Sequence, residues 1–276
     1  MIALVGNPFS ARYAWARRRG GAMPTGFVAM NVALHGPRGA SAWCLTERGA
    51  AEIDRTPRGL RVGASSWRLS AGELTVRLDE RTAPFGRRVA GEITLGLTNG
   101  PIDEVTLDAA GRHRWWALAP AARAEVRLTA PAARFAGAAY VDAQTGDEPL
   151  EAAFRKWTWS RVRRDAEALV SFDVERRDGS SLSLSRRFAA HSIADGPVAD
   201  ARALPTTTWR LARSCRSEGP ARLVRSLEDG PCYARALVEV ALDGDRALAV
   251  HEVLDLDRLR AGWVQFLMPF RTRRAP

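Results

Sequence analysis

Lysine is almost missing from this 276-residue chain. Lys156 is the single lysine among 41 basic residues, and arginine supplies the rest from Arg12 to Arg274. The formal charge of +10 therefore does not by itself mark a nucleic-acid binder. Acidic residues are interspersed with the arginines, and the densest basic clusters (Arg17-Arg18-Arg19; Arg271, Arg273 and Arg274) lie near the two ends. A nucleic-acid footprint needs a patch and a recognised module as well as a high isoelectric point; attraction to anionic lipid headgroups is the better use of this charge. Cysteine is scarce too. Cys44, Cys215 and Cys232 share no metal-like spacing, and their odd number argues against a disulfide framework and for a reducing compartment. No window approaches the 18 or so uninterrupted apolar residues of a membrane span, and Met1 to Gly6 lacks the basic and apolar regions of a secretory leader. The expectation is a chain that is cytoplasmic or peripheral to a membrane.

What is present reads as strands. Leu74 to Leu78, Val89 to Leu97, Ala124 to Leu128, Leu169 to Val174, Leu182 to Leu184 and Ala236 to Leu242 alternate apolar and polar residues. Turn signals separate such runs at Asn99-Gly100, Asp178-Gly179, Asp229-Gly230-Pro231 and Asp243-Gly244. The class is all-β, with closure into sandwiches or barrels. Helical patterns are few and short: Leu150 to Trp157, and Ala11 to Arg19. A turn-rich stretch at Gly146-Asp147-Glu148-Pro149 predicts two β domains, residues 1–145 and 146–276. Ile2 to Val5 reads as an interior strand with no preceding cap, so strands missing upstream of the first domain are expected.

Familiar catalytic motifs are absent: no Gly-x-Ser-x-Gly elbow, no phosphate loop, no Gly-x-Gly-x-x-Gly fingerprint and no His-Glu-x-x-His. The histidines, at 35, 113, 191 and 251, form no local zinc set. An enzyme on this chain has acids, aromatic rings and one histidine to work with. Two segments supply them. Strand periodicity puts His113 and Trp115 on one face of the first, and Tyr140 and Asp142 on one face of the second. Paired with those faces inward, they bring together an imidazole, an indole, a phenol and a carboxyl group. Each pair taken alone reads first as packing beside a solvated polar group. Asp147 and Glu148 read as turn residues before Pro149, His191 and His251 as structural, and Trp157 and Trp159 as core or cavity lining.

Several ordered blocks resemble the bacterial carotenoid 1,2-hydratase (hydroxyneurosporene synthase) family. They are Gly6-Asn7-Pro8-Phe9-Ser10, Tyr13 to Gly20, Asn31 to Leu34, Thr46 to Gly49, Leu107 to Trp115, Tyr140-Val141-Asp142, Gly146 to Glu151 and Trp157 to Ser160. The resemblance covers most of the chain. It implies two lipocalin-like β domains, an acyclic carotenoid such as neurosporene or lycopene as substrate, no cofactor, and peripheral contact with the inner or photosynthetic membrane. The residues it implicates in chemistry fall on His113, Trp115, Tyr140 and Asp142. After Asp142 the family commonly continues Asn-Trp-Gly, where this chain has Ala143-Gln144-Thr145-Gly146.

Water addition to an isolated alkene needs a strong, dry proton donor, and Asp142 is the candidate acid. Protonation at C2 leaves a tertiary cation at C1, which the faces of Trp115 and Tyr140 stabilise. His113 either orients or deprotonates the attacking water, or holds Asp142 in its reactive state. Two rivals remain open: a cyclase or pericyclic catalyst of a different polyene, and a noncatalytic carrier of hydrophobic ligands.

Overall fold

The alternation of apolar and polar residues becomes antiparallel sheet along nearly the whole chain. A computed structural model describes residues 1–36, 39–97, 102–164, 167–189 and 191–275; the turn signal at Asn99-Gly100 lies outside them. The class is all-β. Every strand expected from the alternation is present, usually longer than its apolar run, as in Glu73–Arg81, Glu167–Arg176 and Tyr233–Leu242. The chain divides into two compact units that interleave along the sequence: Met1–Leu97 with Arg123–Gly137 and Gly262–Pro276, and Thr98–Ala122 with Ala138–Ala261. A single division at residue 146 does not describe them. The strands His113–Ala130 and Ala132–Gly146 each contribute residues to both units, so no linear cut separates the two.

In the first unit Ile2–Val5 pairs with Val28–Gly36, which pairs with Gly39–Arg48. A meander runs from Ile53–Thr56 through Gly59–Val62, Ser65–Ser70 and Glu73–Arg81 to Arg88–Gly96, which then pairs with residues 123–130. Val28, Met30, Val32, Cys44, Val62, Leu78, Val89 and Leu128 form its core.

The second unit is built on a seven-stranded antiparallel sheet in the order Ile193–Asp195, Ser181–Phe188, Glu167–Arg176, Phe154–Arg164, Asp245–Asp255, Tyr233–Leu242 and Arg222–Asp229. Directly opposed residues of an antiparallel pair share a face. One face carries Ala236, Val238, Val240, Val162, Leu169 and Ala249, packed with Leu204 and Cys215 of a small hairpin. On the opposite face the register lines up Arg235, Glu252, Trp159 and Phe172 in one row, and Tyr233, Leu254, Trp157 and Val174 in the next. That second face holds the candidate site.

The expected helix Leu150 to Trp157 is half right. A single helical turn covers Leu150–Ala153, and strand begins at Phe154. From Phe154 the bulky aromatics and Thr158 favour a pleated surface, and sheet partners on both sides override a weak helical pattern. The helix near the N-terminus runs Ala11–Arg18, capped by the Ser10 side chain. All three cysteines are free and buried. Burial pushes their thiols up, to about 12 for Cys44, about 11 for Cys215 and about 12 for Cys232, which makes them packing groups and not nucleophiles.

Candidate active site

Three of the four residues singled out in the sequence meet in the second unit. The Trp115 indole Nε1–H donates to Asp142 Oδ2 at 3.0 Å, and the Tyr140 hydroxyl donates to the same oxygen at 3.2 Å. Trp115 is almost fully buried, 1% exposed, and its indole stands edge-on to Phe172 with ring centres 5.8 Å apart. Tyr140 packs on Trp159 at 5.0 Å. Across that ring lies the Arg161 guanidinium, 5.4 Å from the centroid, which also donates to the carbonyls of Pro120 and Ala139. Burial lowers the Arg161 pKa to about 10.

Opposing influences act on Asp142. Burial of the carboxyl is the largest and raises its pKa; the nearby negative charge of Glu252 raises it further, whereas the donors Trp115 and Tyr140 lower it. The net direction is upward. Protein atoms crowd the carboxyl closely enough to desolvate it, while the residue keeps an exposed surface. Both donors sit on Oδ2. An acid proton on Asp142 therefore belongs on Oδ1.

His113 is not part of that cluster. Its ring is fully buried beside Phe154, with centres 4.7 Å apart, and Nε2 is 4.0 Å from Glu148 Oε1. The backbone N–H of His113 donates to Asp108 Oδ1 at 2.6 Å. Burial is the chief cause of its lowered pKa, and neither ring nitrogen has a hydrogen-bond partner. Gly146 lets the imidazole lie this close, since a Cβ there would fall 2.4 Å from Nδ1. A row of rings, Phe154, Trp157 and Phe172, leads from His113 to Trp115. Strand alternation put His113 and Trp115 on one face correctly. It did not place His113 beside Asp142, because the neighbours of His113 are Gly146 and Glu148, several residues further along the chain. The expectation that His113 holds Asp142 in its reactive state has no contact behind it.

Sequence reasoning missed the polar end of the same face. Arg235 Nε donates to Glu252 Oε1 at 2.8 Å, and Arg235 Nη1 to Glu228 Oε1 at 3.0 Å; the three side chains are only 15%, 22% and 10% exposed. Tyr233 lies beside Arg235, its ring centre 5.8 Å from the guanidinium, and burial holds its pKa well above the ordinary phenol value. The signal was legible: Tyr233, Arg235, Leu237 and Glu239 alternate with Ala234, Ala236, Val238 and Val240, a strand with small apolar residues on one face and reactive groups on the other. Trp157 and Trp159, read as core or lining, are half-buried on this face. Among the described residues no cluster of His, Cys, Asp and Glu is arranged to hold a metal ion.

The carotenoid hydratase CrtC family matches residues 1–276. The chain belongs to this family. The acyclic carotenoid 1,2-hydratase of Thiocapsa roseopersicina is 43% identical over 278 residues, spanning 99% of this chain and 68% of the relative. The acyclic carotenoid 1,2-hydratase of Cereibacter sphaeroides is 36% identical over 285 residues, spanning 100% of this chain and 98% of its own length. Among solved structures, an AttH protein from Nitrosomonas europaea superposes with a TM-score of 0.61 over 83% of this chain and 81% of its own, at 13% identity. That likeness is one of fold, and it places this CrtC-family chain among lipocalin-like β proteins.

The surroundings of Asp142 carry a stability signature. An acid whose folded pKa is raised binds more protons in the folded than in the unfolded chain, so stability falls as pH climbs from the unfolded value toward the raised one. Asparagine at this position does not titrate. Relative to Asp142→Asn, the wild-type protein is expected to lose stability as pH rises above about 4, with the gap levelling off once the folded carboxyl ionises. Urea midpoints across pH measure this directly, and a gap that does not change with pH would rule out the raised carboxyl.

Proposed function

We propose that this chain is a cofactor-independent carotenoid 1,2-hydratase that adds water across the terminal C1–C2 double bond of an acyclic carotenoid such as neurosporene or lycopene. The observation that carries the reading is Asp142, a desolvated carboxyl whose Oδ2 accepts from both Trp115 and Tyr140, set among aromatic rings. Family membership supplies the substrate class.

An isolated alkene is a feeble base, so the acid must be protonated at working pH and also a good donor. Burial raises the Asp142 pKa and so favours its protonated form. The two donors on Oδ2 then lower the cost of its departure, because they are already aimed at the charge that develops as Oδ1 releases the proton to C2. Carbon 1 becomes a tertiary cation. The carboxylate just formed attracts it, and the faces of Tyr140, Trp115 and Trp159 add roughly 0.5–2 kcal/mol each where desolvated. Water attack at C1 followed by loss of one water proton gives the tertiary alcohol, with no net oxidation and hence no redox partner. Burying one isoprene unit against these rings contributes on the order of 4 kcal/mol at about 0.8 kcal/mol per methylene-sized group. A cyclase on the same scaffold would incorporate no solvent oxygen, and a carrier would bind without turnover.

A substrate this apolar resides in lipid, and the first unit has a surface suited to reaching it. Phe85, Phe266 and Phe270 are 82%, 70% and 67% exposed. Phe266 and Phe270 contact each other edge to face. The Phe85 loop carries exposed Arg81 and Arg87, and a Cβ on its Gly86 would lie 3.3 Å from Arg273 Nη1. Aromatic rings flanked by arginine fit an anionic bilayer. No helix among the described residues is long and apolar enough to cross one.

Two outcomes test these readings. Incubation with lycopene in oxygen-18 water is expected to give a product with one labelled hydroxyl, to give none with Asp142→Asn, and to slow by about tenfold to a hundredfold with Trp115→Phe, which keeps a ring but removes the donor; turnover without solvent oxygen would identify a different reaction. For the surface, Phe266→Ser with Phe270→Ser is expected to abolish most co-sedimentation with phosphatidylglycerol vesicles while leaving the melting temperature in place, and unchanged sedimentation would remove the patch from consideration.

A further inference from the structure

Proton delivery by Asp142 leaves the second half of hydration unassigned: some group must take a proton from the water that captures C1. His113, the candidate from the sequence, is fully buried at the far end of the row Phe154, Trp157, Phe172 and has no contact with Asp142. The Tyr233 phenol holds its proton too tightly to serve as a resting-state base. Arg235 and Arg161 are cations.

Glu252 meets the requirements. In the sheet register it stands directly opposite Trp159 on one side and Arg235 on the other. Directly opposed side chains sit about 5 Å apart on one face, and Trp159 is the ring on which Tyr140 packs, 5.0 Å between centres. From there Tyr140 reaches Asp142 in one hydrogen bond. The charge of Glu252 is felt at the Asp142 carboxyl, which places the two acids in one site. Their surroundings are opposite. Asp142 has only neutral donors on its carboxyl, Trp115 and Tyr140; Glu252 has a salt bridge to Arg235, itself tied to Glu228, and keeps 22% of its side-chain surface exposed, enough for water to reach. A carboxyl held by neutral donors beside a carboxylate held by a guanidinium is an arrangement suited to an acid and a base sharing one reaction. The charged and titratable groups around Glu252 are Arg235 and Tyr233 on its neighbouring strand, Glu228 beyond them, and Asp142 with Tyr140 across the site.

We infer that Glu252 is a second catalytic residue, the base that binds the attacking water and takes its proton, with Arg235 as the positioning residue that fixes its carboxylate. The inference rests on the hydratase reading. In the step, the water oxygen forms a bond to the C1 cation, one water O–H bond breaks, and that proton passes to Glu252. Asp142 has lost one proton and Glu252 has gained one; transfer between them through solvent restores both. Arg235 stays a cation throughout, so the carboxylate keeps its aim in each cycle.

The test separates protonation from water capture. In deuterium oxide, a deuteron delivered to C2, followed by loss of the original C2 proton from the uncaptured cation, leaves deuterium in the recovered substrate; in oxygen-18 water, capture labels the product. With Glu252→Gln, hydration is expected to fall about 10²- to 10⁴-fold, the usual contribution of a general base, while deuterium uptake into recovered lycopene persists. Asp142→Asn is expected to abolish both labels. Hydration by Glu252→Gln at the wild-type rate would overturn the inference. So would loss of both labels in a Glu252→Gln protein with the wild-type melting temperature, which would assign Glu252 to the acid step. A wild-type protein that introduces neither label would defeat the hydratase reading itself, a distinct result. If Glu252→Gln does not fold, Glu252→Asp answers through the ratio of hydration to exchange: a ratio shifted toward exchange supports the base, and an unchanged ratio overturns it.

Discussion

The site depends on one oxygen. Asp142 Oδ2 accepts from an indole and a phenol at once, in a place where burial would otherwise make a carboxylate expensive. Without the donors, desolvation alone would give an acid that keeps its proton and does not part with it. Without burial, the donors would give an ordinary ionised aspartate. Together, burial raises the pKa while the two donors stabilise the carboxylate left when the proton departs. The packing of Trp115 against Phe172, and of Tyr140 against Trp159 and Arg161, serves to hold two donors on that oxygen.

Much of this was legible in the sequence, for a simple reason. Period-two alternation is a strong signal, so the strands, the all-β class and the shared face of Tyr140 and Asp142 follow from spacing plus the rule that successive strand residues point opposite ways. What alternation does not carry is register. It assigned His113 to the same face as Trp115 but gave no information on what lies across from it, and Gly146, Glu148 and Phe154 turned out to surround the imidazole. Domain boundaries failed for a related cause. A turn-rich stretch at residues 146–149 reads as a seam, yet the strands His113–Ala130 and Ala132–Gly146 each belong to both units. Long-range pairing decides such matters, and no local pattern encodes it.

The polar end of the face shows a different limit. Tyr233 and Arg235 begin a strand recognised only from Ala236 to Leu242, and Glu252 lies on Asp245–Asp255, which the alternation did not single out. Both faces of this strand have partners: Ala236 and Val238 pack against a hairpin, while Arg235 and Glu252 pair with each other on the face that holds the site. Partly buried charges are tolerated there because each has a partner. An alternating strand whose polar residues are Tyr, Arg and Glu, with small alanines opposite, is therefore worth reading as cavity lining before it is read as surface.

Hydration asks two contrary things of one site: a dry acid for the alkene, and water with a base for the cation. A single environment does not provide both. In the second unit a chain of contacts runs from Asp142 through the rings of Tyr140 and Trp159 to Glu252, which is paired with Arg235. A cation formed between those poles faces π surface on its flanks, a fresh carboxylate on one side and a water-accessible carboxylate on the other. The direction of water attack is then set by the backbone, since moving Glu252 one residue along its strand would carry it to the opposite, apolar face. That dependence of chemistry on register, more than any one side chain, explains why a sheet with few helices and no familiar catalytic motif suits this reaction.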